Sequence, residues 1–305
     1  MNVFRLKNRV KGFIDLIRPF TLLAPIIVSI CIIFASFFYN KIAEDVFAVL
    51  WTTIIPASFA MAILNGASNV LNQVTDIKSD KISKPYRPIP KGIISVREAM
   101  SISILMYILA ICLSTFVNIM FCMFVILIMI FTITYSVPPR LKDFLFLNQL
   151  WVAIPRGLLG VLASWSVFGD PLQSVPLAIG FIAMLFLIGG SITKDITDSE
   201  ADRKTGTRTM INTFGVKKAA FLSFPFMFFP FVMIPILINN GVLNSNLWLL
   251  TFLAIPSYFV FYLMINAKKE RKFLENTSAW GLMYVTYFIF ASGFSILTIM
   301  GSIIG

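Results

Sequence analysis

The chain has 305 residues, of which 58% are hydrophobic and only 13% charged, and its mean hydropathy is +0.87; this is too apolar for a water-soluble domain and excludes a cytosolic protein. Lys and Arg outnumber Asp and Glu by 25 to 14, so the few charges must sit in particular places; a lipid bilayer is the expected partner and nucleic acid is not. There is no histidine, which removes His-ligated haem, the H-E-x-x-H metal site and every His-based triad, and Cys31, Cys112 and Cys122 form no C-x-x-C pair, so any metal must be held by oxygen.

The first 19 residues carry Arg5, Lys7, Arg9, Lys11 and Arg18. The apolar stretch behind them is too long for a signal peptide and shows no small-residue cleavage pattern, so it reads as a first membrane span. A crossing helix needs about 20 largely apolar residues. Nine stretches qualify: 20–39, 46–71, 99–116, 118–136, 148–168, 173–193, 217–238, 246–266 and 277–303. The expectation is a single polytopic domain over residues 1–305, all-α, with nine transmembrane helices around a central cavity. Of the 25 basic residues, 23 fall on one side of these spans; Lys41 lies opposite and Arg156 lies within the fifth span. The positive-inside rule then puts the N-terminus in the cytoplasm.

The second span ends in NQVTDIKSD. Asn72, Asp76 and Asp80 are spaced four apart and fall within about 80° of one another on a helix. Asn69 and Asn65 continue this polar stripe into the membrane, where polar side chains are expensive unless they face a cavity or a partner. The sixth span ends in KDITDSEADR. Asp195, Asp198 and Asp202 again share a face, while Glu200 stands about 140° from Asp195.

Like charges at this spacing repel, and a bound cation relieves them. Carboxylate and amide oxygens suit Mg²⁺, which prefers one or two protein carboxylates plus water and phosphate oxygens. Two facing acid clusters suit a magnesium diphosphate, and Lys84, Arg87, Lys91, Lys194, Arg203 and Arg208 supply cations for its oxygens. An ordinary solvated surface explains either cluster alone. It explains poorly two same-face clusters on one membrane side.

These residues resemble the UbiA superfamily of intramembrane prenyltransferases. NQVTDIKSD is similar to its first motif, N-x-x-x-D-x-x-x-D, and KDITDSEADRKTGTRTMINTFG to its second; KPYRPIPKGIIS and YSVPPRLKDFLFLNQLWVAIPRG also match. The resemblance implies Mg²⁺ held by the two motifs, and transfer of a prenyl chain from a polyprenyl diphosphate, such as geranylgeranyl diphosphate, to a lipophilic or aromatic acceptor through an allylic cation. By motif position, Asn72, Asp76, Asp198 and Asp202 become metal or diphosphate ligands, with Asp80 and Asp195 supporting them. Tyr135 and Lys142 match the region that contacts the diphosphate and stabilises the cation. Asn65, Asn69, Lys84, Arg87, Lys91, Arg156, Lys194 and Arg203 are expected on the substrate, at a site facing the cytoplasm.

Arg156, deep in a span, should have a partner: a neutral hydrogen bond between helices, or a diphosphate or acceptor contact. The alternative from another class is a secondary transporter binding Na⁺ or H⁺ through its Asp and Asn residues. The acids lie at span ends and the spans lack a matched pair of broken helices, which counts against transport.

Overall fold

The structure, a computed structural model, describes residues 3–267 and 276–304, with side chains from 7 to 267 and 276 to 303. Lys268, Lys269, Arg271 and Lys272, counted above on the cytoplasmic side, lie outside the described residues, as does the side chain of Arg5. The protein is an all-helical integral membrane protein, and no strand occurs among the described residues.

Helix α1 (Val3–Ile17) meets α2 (Pro19–Tyr39) at Arg18, whose φ of 60° turns the chain in the left-handed region. Then follow α3 (Ile55–Thr75), α4 (Ile77–Ser83), α5 (Val96–Thr115), α6 (Ile119–Ser136), α7 (Leu147–Ala153), α8 (Leu159–Trp165), α9 (Ser174–Gly190), α10 (Asp195–Thr205), α11 (Met210–Val232), α12 (Ala254–Ile265) and α13 (Ser278–Ile304). Helix α5 starts at a capping box in which Ser95 and Glu98 satisfy each other's backbone N–H groups. Helix α10 stops at Gly206, whose φ of 82° suits a residue without Cβ.

Eight helices among the described residues are long and apolar enough to cross a membrane. The expected span 148–168 is not one of them. It is a helix in three pieces, α7, a π-turn at Ile154–Leu158 and α8, and it carries Asn148, Gln149 and Arg156, which lower its hydropathy. A second π-turn, Leu50–Ile54, precedes α3. The chain stays helical through both turns, so neither is an unwound break. The span expected from 217 is helical from Met210, but Gly215 interrupts it with φ 76° and ψ 163°.

Helix α3 packs on α2 and α5, α5 on α6, α6 on α8, α9 on α11, α11 on α12 and α12 on α13, and α13 returns to α2. This closes a ring around a central cavity. Gly157 lets the π-turn press on α9, since a Cβ there would lie 2.5 Å from the Met184 backbone nitrogen. Large side chains such as Trp165, Phe186, Phe231, Phe290 and Phe294 are fully buried between helices. Others, such as Leu105 and Phe116, are exposed on the outer faces, where lipid tails meet them as readily as protein does.

Candidate active site

The acid motifs meet at one end of the ring. Helix α3 does not run on through Asp76: that residue caps it with φ −102° and ψ 17°, and α4 begins at Ile77. The hydrogen bonds Asp76 N–H to Asn72 O and Asp80 N–H to Asp76 O survive the change of direction, so the three residues still face one cavity. Its volume is about 610 Å³, and Asn72, Asp76, Asp80, Asp195, Asp198 and Asp202 all line it.

Cations lie between these acids. Lys84 Nζ donates to Asp198 Oδ2 at 2.5 Å, joining the first motif's loop to the second motif. Lys142 Nζ donates to Asn72 Oδ1 at 2.7 Å and Asp76 Oδ1 at 2.5 Å. Burial pushes the Lys142 ammonium below the usual lysine range while the Asp76 carboxylate pulls it back. Lys194 Nζ donates to Tyr135 OH at 2.7 Å and Asn148 Oδ1 at 3.1 Å, and lies 5.2 Å from the Tyr135 ring centre.

Asp80, expected among the metal ligands, is paired with Arg87. Both its oxygens accept from Arg87 Nη1 at 2.9 Å, and the two residues are 3% and 6% exposed. Burial raises the Asp80 carboxyl and the guanidinium beside it lowers it again. The pair ties the 84–94 loop to α4, so Asp80 and Arg87 shape the cavity wall. Asn69 and Asn65 spend their amide donors on the α1–α2 corner: Asn69 Nδ2 bonds Ile17 O and Thr21 Oγ1, and Asn65 Nδ2 bonds Thr21 O. Gln73 adds a bond to Leu16 O. Asn69 still lines the polar cavity. Lys91 and Arg203 are exposed and line neither cavity, so their expected substrate contacts are not borne out. Arg208 is likewise exposed, its backbone N–H bonded to Asp143 O.

Four site residues escaped sequence reasoning. Arg140 bonds Asp76 at 3.1 Å and Asp143 at 2.9 Å from a left-handed backbone, φ 50°, a conformation that costs a non-glycine residue about 1–2 kcal/mol and concentrates at functional sites. Asn148 joins Tyr135 to Lys194. Arg140 and Asn148 stood inside the quoted YSVPPRLKD and LNQ segments, which was the available signal. Trp280 and Tyr284 of α13 carried none.

Membrane-ward the polar cavity meets a second, apolar one of about 100 Å³. Thr21, Thr132, Val152, Pro155, Arg156 and Lys194 line both. Beyond them the apolar cavity is walled by Val28, Leu64, Ile128, Leu187 and Met283, with Asn65 at its edge. Arg156 lies at the neck between the two. The donor set fits a hard divalent cation: Asp195 Oδ2 and Asp198 Oδ1 are buried without a hydrogen-bond partner, a state that costs about 1–3 kcal/mol or more unless a cation relieves it. No group of three or more acids is gathered on one spot among the described residues.

The UbiA prenyltransferase family model matches residues 22–280. The digeranylgeranylglyceryl phosphate synthase of Methanosphaera stadtmanae is 30% identical over 214 residues, 69% of this chain and 72% of that protein. The probable homogentisate phytyltransferase 2 of Oryza sativa subsp. japonica is 32% identical over 221 residues, covering 68% and 56%. A UbiA homologue from Archaeoglobus fulgidus, bound to GPP and Mg²⁺, has the same fold over 96% of this chain and 100% of that one, with a TM-score of 0.69 at 19% identity. A polar mouth of paired acids and lysines above an apolar chamber, inside a ring of membrane helices, accords with a match over most of the length: this chain belongs to the UbiA prenyltransferase family.

Proposed function

We propose that this chain, as one domain over residues 1–305, transfers a prenyl group from a polyprenyl diphosphate held in the polar cavity to an electron-rich lipophilic or aromatic acceptor. One observation carries the reading: the two acid motifs and their lysines face each other across a cavity that opens directly into an apolar one. A ligand with an anionic head and an apolar tail suits both.

The head would lie between Asp76 and Asp198, where Asn72, Asp76, Asp198 and Asp202 would hold Mg²⁺, with Asp195 supporting them. Bound there, the metal supplies positive charge to the diphosphate oxygens as the leaving group departs. Lys84 and Lys142 donate hydrogen bonds to the same oxygens and take up the charge that grows on them. The bond from the first prenyl carbon to oxygen breaks with its electron pair going to the diphosphate. The acceptor's nucleophile then bonds that carbon and loses its proton. The Tyr135 ring, beside Lys142 and Lys194, offers a π-face at the mouth where the allylic carbon turns positive. The apolar cavity holds the isoprenoid chain and keeps water from the cation.

The 147–165 helix completes nine spans. With 23 of the 25 basic residues of the sequence on one side of the nine spans, the positive-inside rule would put the N-terminus and the site on the cytoplasmic face. The names of the relatives from Methanosphaera and rice point to lipid and aromatic acceptors respectively. Purified protein incubated with Mg²⁺, geranylgeranyl diphosphate and a panel of such acceptors should release diphosphate and form prenylated product. Absence of both, with folded protein, overturns the reading.

A further inference from the structure

Five of the cations that line the polar cavity are matched by an acid: Lys84 by Asp198, Arg87 by Asp80, Lys142 by Asp76, Arg140 by Asp76 and Asp143, and Lys194 by Asp195. Arg156 differs. No carboxylate among the described residues pairs with it, and its hydrogen bonds to protein are long ones to neutral oxygens, Nη1 to Tyr284 OH and Nη2 to Asn65 Oδ1, both 3.4 Å. Its backbone is fixed in the π-turn, where Arg156 O accepts from Tyr287 OH at 3.0 Å. Its side chain is exposed to both cavities. A guanidinium has five N–H donors in a planar fork that matches a carboxylate or phosphate edge. Two neutral oxygens orient this fork without neutralising it.

We infer that Arg156, oriented by Asn65 and Tyr284, is the subsite for an oxyanion carried by the acceptor. The word acceptor rests on the prenyl-transfer reading; the anion site does not. Depth separates this subsite from the diphosphate. Asn65 precedes Asn72 by seven residues and Asp76 by eleven on α3, which at about 1.5 Å per residue places it roughly 10 and 16 Å further into the membrane. A diphosphate clamped between Asp76 and Asp198, only two phosphorus atoms long, does not span that distance. The first prenyl carbon lies between the diphosphate and the tail chamber, and therefore near the neck. An acceptor whose anionic group is seated on Arg156 has its nucleophile within the same neck. The chemistry is a carboxylate or a phosphate monoester, from a phenolic acid or from a phosphorylated glyceryl lipid.

The test is calorimetric titration of the full chain in detergent with Mg²⁺ and the unreactive thiolodiphosphate analogue of geranylgeranyl diphosphate. Four probes are used: 4-hydroxybenzoate and its methyl ester, and a C20 glyceryl ether phosphate and the corresponding alcohol. One anion should bind at least 30-fold more tightly than its neutral counterpart, and which one identifies the source. Arg156→Gln should erase that preference while changing affinity for the donor analogue less than threefold, and Arg156→Lys should restore part of it. Tyr284→Phe, which keeps the ring and loses one orienting group, should reduce the preference three- to tenfold and serves if the Arg156 variants do not fold. The inference is overturned if neither anion is preferred, if Arg156→Gln keeps the preference, or if that variant weakens the donor analogue instead. Wild-type protein that fails to bind the donor analogue would sink the prenyl-transfer reading alone.

Discussion

Lys84 and Asp198, 114 positions apart in sequence, meet at 2.5 Å across the mouth of the cavity. The contact joins the two acid motifs in space, and it makes Asp198 a sharp point at which to separate catalysis from surface charge. Glu200, two residues on, pairs with Lys204 at 2.8 Å and its side chain is 72% exposed. Asp198→Asn should lower turnover by about 10²-fold or more, because charge stabilisation in the transition state is lost. Glu200→Gln should stay near wild type and within about ±0.5 kcal/mol in stability. Steady-state kinetics and thermal unfolding of the two variants settle the matter; equal activities would refute the diphosphate site at the second motif.

Asp80 and Arg87 give the opposite contrast. Because both are buried and paired, removing one partner should cost about 3–5 kcal/mol, and removing both should cost less than the sum. A double-mutant cycle on Asp80→Asn and Arg87→Met, read by unfolding in detergent, measures this. A fully stable Asp80→Asn protein that has lost turnover would instead return Asp80 to the metal ligands.

Lys142 is 7% exposed at its side chain and holds both Asn72 and Asp76. Lys142→Met keeps its length and removes the charge; kcat should fall about 10²–10³-fold. A pre-steady-state measurement of diphosphate release should show the loss in the chemical step. Unchanged release would assign Lys142 to positioning Asn72 and Asp76 alone.

Turnover should vanish in excess chelator and return with Mg²⁺ or Mn²⁺, both of which suit an all-oxygen ligand set. Full activity with chelator present would remove the metal from the reading.

A cysteine placed at Ser83 in a cysteine-free background should react with an impermeant thiol reagent only from the cytoplasmic side of inverted and right-side-out vesicles. Labelling from outside alone would invert the topology.

Much of this arrangement was legible because helical spacing carries over into space. The 100° step placed Asp195, Asp198 and Asp202 on the cavity and Glu200 away from it, as observed. The same step puts Arg203 about 140° from Asp198, which explains why it is exposed; counting cations by loop gives the membrane side but not the face. Lys91 follows Pro88 and Pro90, where no period exists to extrapolate. The pairing of Asp80 was not legible because Arg87 reaches it only after a proline-rich loop has folded back. Asn148 and Tyr284 depend on how distant helices pack, which spacing within one helix does not encode.

The π-turn at Ile154–Leu158 has a consequence of its own. A π-turn holds one residue more than an α-turn, so it acts as a built-in insertion. Tightening all five residues to α geometry would rotate α8 against α7 by about 100°, whereas deleting one residue there would leave a plain α-helix with the two pieces still in phase. Asn148, on α7, faces Lys194 in the polar mouth, while Gly160 and Ser164, on α8, face the apolar chamber. The wide turn therefore absorbs one surplus residue and keeps the head and tail compartments in register, so a one-residue deletion within α7 or α8 should do more harm than one inside the turn.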